Sequence, residues 1–330
     1  MGGDRAPEEI IRGAIKAIEE LKDINLLLVG KNDIICNQLN HYNFPEDKID
    51  IINAPEVINM NDTPSKALRK KKKSSINIGT KLIKEKKAGA FISAGNTGAV
   101  MAAGLLNIGR LSGIKRPAIG TFIPSQTGET LIIDAGANVD SKPLNLLQSA
   151  LMGQLYTQRI LNIDNPRIGL LSIGEEKEKG NKLTAETFNL IKEDNRIKNF
   201  IGNVEGRDIF NGNCDIIICD GFTGNIVLKT TEGAASFVID NFKTAFKSNP
   251  LTKLAALFLK SKLKNIKQKL DYRQYGGAPL LGLKELIVIS HGSSDAVAIY
   301  NAISVAQKTI ANNVISEIKN IINKEGEIDE

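Results

Sequence analysis

Short apolar runs recur along this chain, and each stops abruptly at glycine mixed with small polar side chains. Ile24–Val29 ends at Gly30, and Ala90–Ile92 ends at Ser93-Ala94-Gly95-Asn96-Thr97-Gly98. Thr130–Ile133 ends at Asp134-Ala135-Gly136-Ala137-Asn138, and Ile168–Ile173 at Gly174. Cys214–Cys219 ends at Asp220-Gly221-Phe222-Thr223-Gly224-Asn225, and Leu286–Ile289 at Ser290-His291-Gly292-Ser293-Ser294-Asp295. Runs of this length read as buried strands. Amphipathic helices fill the intervals. Ile10, Ala14, Ile15, Ile18 and Leu21 share one helical face behind Pro7, with Glu8 and Glu9 in the first turn, and a second long helix runs from Pro143 to about Leu161. The alternation predicts a parallel, doubly wound α/β sheet, with a hairpin where Ala118–Ile123 meets Thr130–Ile133. Open sheets of this kind bind ligands outside the carboxyl ends of their strands, so the polar tips are candidate site residues. One tip alone is a weak signal, because surface loops are ordinarily rich in Gly and Asp.

The tip after Ile92 carries the most chemistry. Gly95 and Gly98 permit a tight turn, and Asn96 or Thr97 can cap a helix that starts at once. Ala99, Ala102, Ala103 and Gly104 keep that helix thin. A strand, a glycine-rich turn and a helix start leave backbone N–H groups free to hold an anion, with Ser93, Asn96 and Thr97 adding side-chain donors. No Lys follows the turn as in a P-loop, and the glycine spacing differs from the dinucleotide fingerprint.

Composition narrows the partners. The chain has 330 residues, is 42% hydrophobic, carries a net charge of +6 and lacks Trp. A large core in one or two domains is affordable at this length. The positive charge suits acidic partners, and the scarcity of aromatics argues against base stacking. Cys36, Cys214 and Cys219 lack metal-type spacing and read as reduced, buried thiols of a cytosolic protein. His41 and His291 alone leave little for a histidine metal site or a triad. No apolar run is long enough to span a bilayer.

Two stretches are strongly basic. Pro64–Lys87 reads as helical, with Arg69-Lys70-Lys71-Lys72-Lys73 at its centre and Arg69 and Lys73 on one side, either a solvated face or a basic wall beside the anion turn. In Leu251–Leu270, Leu254, Leu257, Phe258 and Leu263 share a face, while Lys253, Lys260, Lys262, Lys264, Lys267 and Lys269 crowd the rest. Such a helix reads as a contact for an anionic membrane or an acidic carrier, or as an interface.

Taken in order, Met1-Gly2-Gly3-Asp4, the 93–99 segment, the 134–138 and 220–225 tips, Tyr275-Gly276-Gly277-Ala278 (read as a turn) and His291-Gly292-Ser293-Ser294-Asp295 give the whole chain a close resemblance to the bacterial phosphate acyltransferases of phospholipid synthesis, the PlsX family. The resemblance implies a three-layer α/β/α sandwich like isocitrate and isopropylmalate dehydrogenases, with two lobes around a cleft: 1–123 with 280–330, and 124–279 with a helical hairpin over 231–270. It implies a cytosolic homodimer, peripherally membrane-associated, that converts acyl-acyl carrier protein and inorganic phosphate to acyl phosphate and feeds a membrane glycerol-3-phosphate acyltransferase. No cofactor, metal or nucleic acid is expected. Family members usually open with a short apolar strand ending in Asp-Ala before the Met-Gly-Gly-Asp segment, so the sheet is expected to lack that strand. Arg5 stands where a histidine is common.

The chemistry suits an enzyme poor in histidine. Phosphate is already an anionic nucleophile and a thioester is activated, so positioning and oxyanion donors suffice. On this reading Asn96, Thr97, Asn138 and His291 are the catalytic candidates, with His291 protonating the thiolate. Gly3, Asp4, Arg69, Ser93, Gly95, Gly98, Asp134, Gly136, Lys179, Asp220, Asn225 and Ser293 are the substrate and phosphate candidates. The competing readings are a phosphotransacetylase using coenzyme A, an isopropylmalate-type dehydrogenase recruiting Asp134, Asp140 and Asp220 for a metal, and a non-catalytic membrane scaffold.

Overall fold

The computed structural model describes residues 1–247 and 276–323. The carrier and membrane candidates Lys253, Leu254, Leu257, Phe258, Lys260 and Lys262 lie outside the described residues.

The apolar spacing behind Pro7 produces α1 (Glu8–Glu20), which buries Ile11, Ala14, Ile15 and Ala17. It lies beside β1 (Leu26–Gly30), α2 (Asn32–Leu39) and β2 (Ile49–Asn53), and the two strands pair in parallel as a sheet of their own. Their neighbours in sequence are α3 (Pro64–Lys70), α4 (Ser75–Lys84), β3 (Ala90–Ser93) and α5 (Thr97–Ala103), which continues as a wider turn to Ile108. Next come β4 (Ala118–Ser125), β5 (Gly128–Ile133), α6 (Pro143–Leu161), β6 (Ile168–Leu171), α7 (Lys182–Glu193), β7 (Phe200–Val204), β8 (Ile216–Ile218) and α8 (Gly221–Lys247). After the undescribed stretch the chain gives β9 (Ala278–Leu281), β10 (Leu286–Ile289), α9 (Ala296–Ala311) and α10 (Val314–Asn323).

The main sheet has eight strands in the order β3-β10-β9-β4-β5-β8-β6-β7. It is mixed rather than wholly parallel. β9 runs against both β10 and β4, and β4 forms the expected hairpin with β5, from Gly120↔Ile133 to Ser125↔Gly128. Of the segment read as a turn at Tyr275–Pro279, the described part runs into β9. Because direction reverses across β9, β4 and β5, the carboxyl ends of β3 and β10 leave the sheet at the end opposite to those of β5, β8, β6 and β7. β1 and β3 are not paired with each other. Their facing edges line a cavity of about 800 Å³, closed by side chains of α1, α4 and α9.

One core packs α6 onto β5, β6 and β8 through Leu147, Leu151, Leu131, Leu170 and Ile216, and α10 joins it with Val314, Ile318 and Ile322. This last described helix also touches α9, with Ile315 packed against Val288, Ala302 and Ala306. The lobe boundaries expected at 123/124 and 279/280 fall inside β4 and β9, where continuous pairing carries the sheet across. A second core joins Leu68, Ile76, Val100, Ala103, Leu283 and Ile287.

The basic stretch 64–87 is two helices, not one. Asn77 Nδ2 donates to the Leu68 and Lys71 carbonyls and closes the first, while Ser74 Oγ accepts from Asn77 N and caps the second. Lys73 sits in the break between them, so it does not share a helical side with Arg69.

Candidate active site

Two groups of loops carry the candidate residues. In the first, the 93–98 turn meets the N-terminal segment and the loop after β10. Ser290 N donates to Ser93 O at 2.9 Å, and Asp4 N donates to Gly292 O at 2.9 Å. Gly3 is required here: a Cβ would stand 2.6 Å from the Ala94 carbonyl oxygen and 3.2 Å from that of Gly292. Ser93 Oγ accepts from Gly95 N at 3.2 Å, which leaves its proton free to donate. Thr97 is exposed and its hydroxyl has no partner among the described residues. His291 is exposed and its Nδ1 lies 2.8 Å from Ser293 Oγ. Glu9 Oε2 accepts from Ala296 N at 2.6 Å and so ties α1 to the start of α9, beside the 290–295 loop.

Asn96 works inward. Its Oδ1 accepts from Ala99 N at 2.9 Å as the N-cap, and its Nδ2 faces the carbonyls of Asn59, Met60 and Asp62 at 3.3, 2.8 and 3.1 Å. With donors and acceptor both engaged and the side chain buried, Asn96 fastens the turn to the 59–62 loop and has no group left for a reacting atom. Asp62 continues the lattice. Its carboxylate accepts from Asn59 N at 2.8 Å and from Lys71 Nζ at 2.6 Å, and Lys71 also donates to Val57 O. The Lys71 hydrogen bond holds the Asp62 carboxyl below its ordinary value. The 57–62 loop was invisible as a site element in the sequence, and Lys71 stood out only as one of the basic run, because only tertiary contact links them to the turn.

The second group gathers at the ends of β5 and β8. Asp134 is 2% exposed. Its Oδ1 accepts from the backbone N–H groups of Ile119, Gly136 and Ala137, and its Oδ2 from the backbone and side-chain N–H of Asn138. Burial pushes its carboxyl up, and these donors pull the other way. A carboxylate engaged in this manner builds the loop and does not face a ligand. The Asn138 amide nitrogen also donates to Pro117 O at 2.7 Å, so only its Oδ1, an acceptor, remains for substrate. Asp220 caps α8, accepting from Thr223 N and Thr223 Oγ1. Gly221 N donates to Asn138 O at 2.8 Å, and a Cβ on Gly224 would overlap the Asp134 carbonyl oxygen. Asn225 is exposed and lies against Gly136. Of the three carboxylates the dehydrogenase alternative recruits for a metal, Asp134 is committed to N–H groups, Asp220 to the N–H and hydroxyl of Thr223, and Asp140 is exposed.

The two groups are joined by apolar packing. Ala99, Val100 and Ala103 of α5 share one cluster with Ala135, Ala137 and Leu228 of the second group. Arg69 is exposed on α3, which packs on α5, without an ion pair among the described residues. Lys179 stands apart at the end of β6, where its carbonyl accepts from Ser172 Oγ and its N–H donates to Glu176 O.

Comparison with known proteins decides the family. A family model described as "Fatty acid synthesis protein" matches residues 1–317. The chain belongs to that family. It is 61% identical over 327 residues to a phosphate acyltransferase of Halothermothrix orenii, covering 99% of this chain and 98% of that one. It is 47% identical over 319 residues to a phosphate acyltransferase of Clostridium tetani, covering 97% and 95%. Among solved structures it resembles the EutD phosphotransacetylase from Staphylococcus aureus with a TM-score of 0.59 at 13% identity, over 91% of each chain. A branched-chain phosphotransacylase from Enterococcus faecalis gives a TM-score of 0.60 at 13% identity, over 94% of this chain and 96% of that one. At that identity the likeness is one of fold: a central multi-strand sheet flanked by helices. No helix among the described residues is long and apolar enough to cross a membrane.

Proposed function

We propose that this member of the fatty acid synthesis family is a phosphate acyltransferase that moves an acyl group from acyl carrier protein to inorganic phosphate. The observation that supports it is the 93–98 turn, where the unpartnered hydroxyl of Thr97 and the unspent proton of Ser93 Oγ stand beside the N–H groups of a helix start. Phosphate held there attacks the thioester carbonyl directly, and the carrier thiolate leaves. The attack needs no base, because the nucleophile arrives ionised, and donors aimed at the developing oxyanion lower the barrier. His291, with Ser293 on its Nδ1, returns a proton to the thiolate. Arg69 balances the phosphate charge. Asn225 and the Asn138 Oδ1, on the second group of loops, contact the far part of the thioester arm and not the reacting carbonyl. The remaining roles are bland: Asn96, Asp134 and Asp220 hold loops, and Gly3, Asp4, Gly95, Gly98 and Gly136 shape them. In this reading the protein works as a cytoplasmic homodimer that touches the anionic membrane surface, where a glycerol-3-phosphate acyltransferase consumes the acyl phosphate.

The choice of thiol carrier tests this. With saturating phosphate, kcat/KM for acyl-acyl carrier protein is expected to exceed that for the matching acyl-coenzyme A by more than about tenfold, the scale of protein-docking selectivity. Equal or reversed preference makes it a coenzyme A enzyme instead.

A further inference from the structure

Charge in this chain is unevenly placed. Residues 63–84 contain Lys66, Arg69, Lys70, Lys71, Lys72, Lys73, Lys81 and Lys84 and not one Asp or Glu. Setting those eight aside leaves 35 cations against 37 acids, so this segment outweighs the whole net charge of +6. Lys71 is consumed by Asp62, and Lys81 pairs with Glu85. Lys66, Arg69, Lys70, Lys72 and Lys73 are exposed and have no ion pair among the described residues. One acid borders them, Glu56, whose carboxylate accepts from the Lys73 backbone N–H.

The fold presents these cations outward by construction. Ala67 and Leu68 are each 6% exposed and anchor α3 in the core under α5. Lys66, Arg69 and Lys70, at helical spacings of three and four, are left on the opposite side. Lys72 and Lys73 extend the patch around the turn into α4. The patch is also aimed. Pro64 opens α3 against the 93–98 turn, close enough that a Cβ on Gly98 would stand 2.8 Å from Pro64 Cγ. At about 1.5 Å per residue, Lys66, Arg69 and Lys70 then lie within about 10 Å of Pro64 along α3.

We infer that the α3–α4 corner, Lys66 to Lys73, is the docking surface for an acidic carrier domain whose thioester arm reaches the 93–98 turn. This rests on the acyl-transfer reading above. A protein partner fits better than a bilayer, because the large side chains of 63–84 that are exposed are cationic, with no large apolar one among them to insert. Unpaired cations around a site entrance steer an acidic partner and fix its orientation.

The test is the triple variant Lys66→Glu, Lys70→Glu, Lys72→Glu, measured beside the corresponding triple Arg variant. Binding of acyl carrier protein is read by fluorescence anisotropy at low salt, separately from turnover. The Glu variant is expected to lose about tenfold or more in carrier affinity, with a matching rise in KM for the acyl-carrier substrate. The KM for phosphate and the turnover of acyl-pantetheine, which has no carrier domain, stay at wild-type values. The Arg variant behaves as wild type, and about 1 M salt weakens wild-type binding because it shortens the screening length to about 3 Å. Carrier affinity kept within about twofold overturns the assignment. So does equal damage to acyl-carrier and acyl-pantetheine turnover, or a selective loss of anionic-vesicle binding with carrier binding intact. If wild type binds carrier through the patch yet shows no phosphate-dependent turnover, the reaction is wrong and the docking surface stands.

Discussion

Asp134 Oδ2 accepts two hydrogen bonds from a single residue, Asn138: 2.8 Å from its backbone N–H and 2.7 Å from its side-chain amide. That pair closes the 134–138 loop on itself, and Oδ1 accepts from the Gly136 and Ala137 N–H groups of the turn and from Ile119 N of β4. The loop then receives Gly221 and the start of α8. The Asp134 charge is thus spent inside the protein, on its own loop and on β4.

Asp134→Asn replaces an acceptor of several N–H groups by one that presents its own donors to them. Each buried N–H left unpaired costs about 1–3 kcal/mol, so the variant is expected to lose about 2–4 kcal/mol of stability. Urea denaturation monitored by circular dichroism reads this. A midpoint within error of wild type would return Asp134 to the list of ligand-facing groups.

Asn96→Ala removes the N-cap of α5 and strands the 59, 60 and 62 carbonyls. The expected loss is about 2–4 kcal/mol. Asn96→Asp keeps an acceptor for Ala99 N but turns a carboxylate toward three carbonyl oxygens, and is expected to be no more stable than the Ala variant. An Asp variant of wild-type stability would mean that the amide nitrogen does not hold the 59–62 loop.

Asp62 gives a pH dependence. Lys71 holds its folded-state carboxyl below the ordinary value of 3.8. Its contribution to stability is therefore complete above that value and is lost as pH falls through the lowered one. The stability difference between wild type and Asp62→Asn is expected to be constant near neutrality and to vanish in acid. A difference that persists unchanged down to the acid transition would show that the ion pair is not its source.

Thr97→Val is nearly isosteric and exposed, so it leaves the fold alone. Losing one oxyanion or phosphate donor costs about 2.7–4 kcal/mol, so turnover is expected to fall about a hundredfold or more. The check is initial rate across a phosphate series, with thermal denaturation confirming an unchanged fold. Near-normal turnover removes the 93–98 turn from the chemistry.

The cysteines report on burial. Cys214 and Cys219 are 1% and 3% exposed, and burial pushes the Cys214 thiol up to about 11 and that of Cys219 well above its ordinary value. Cys36 is partly exposed. At pH 8 a disulfide reagent is expected to label Cys36 promptly and the other two only after unfolding. Prompt labelling of three thiols in the native protein contradicts the packing of β8.

Much of the fold was legible because periodicity is local. The apolar run at Leu286–Ile289 became β10 within the expected bounds, and Pro143 opened α6, which ends at Leu161. What periodicity cannot carry is pairing direction, so the antiparallel β9 hidden in Ala278–Leu281 escaped it. The split of 64–87 escaped for a related reason: Lys71 and Asn77 end α3 through contacts with Asp62, Val57 and Leu68. At the site, residue type identified Asn96, Asp134 and Asp220 as polar groups at strand ends. Only coordinates reveal that their hydrogen bonds point inward, whereas the hydroxyls of Thr97 and Ser93 keep a donor free.

The central claim is that phosphate attacks the thioester directly, with no acyl group passing through the protein. A rapid-quench single turnover of acyl-acyl carrier protein, run with and without inorganic phosphate while thiol release is followed, tests it most directly. The expected result is thiol release and acyl phosphate appearing together, only when phosphate is present. A burst of thiol in the absence of phosphate, with acyl label retained on the protein, would contradict the account.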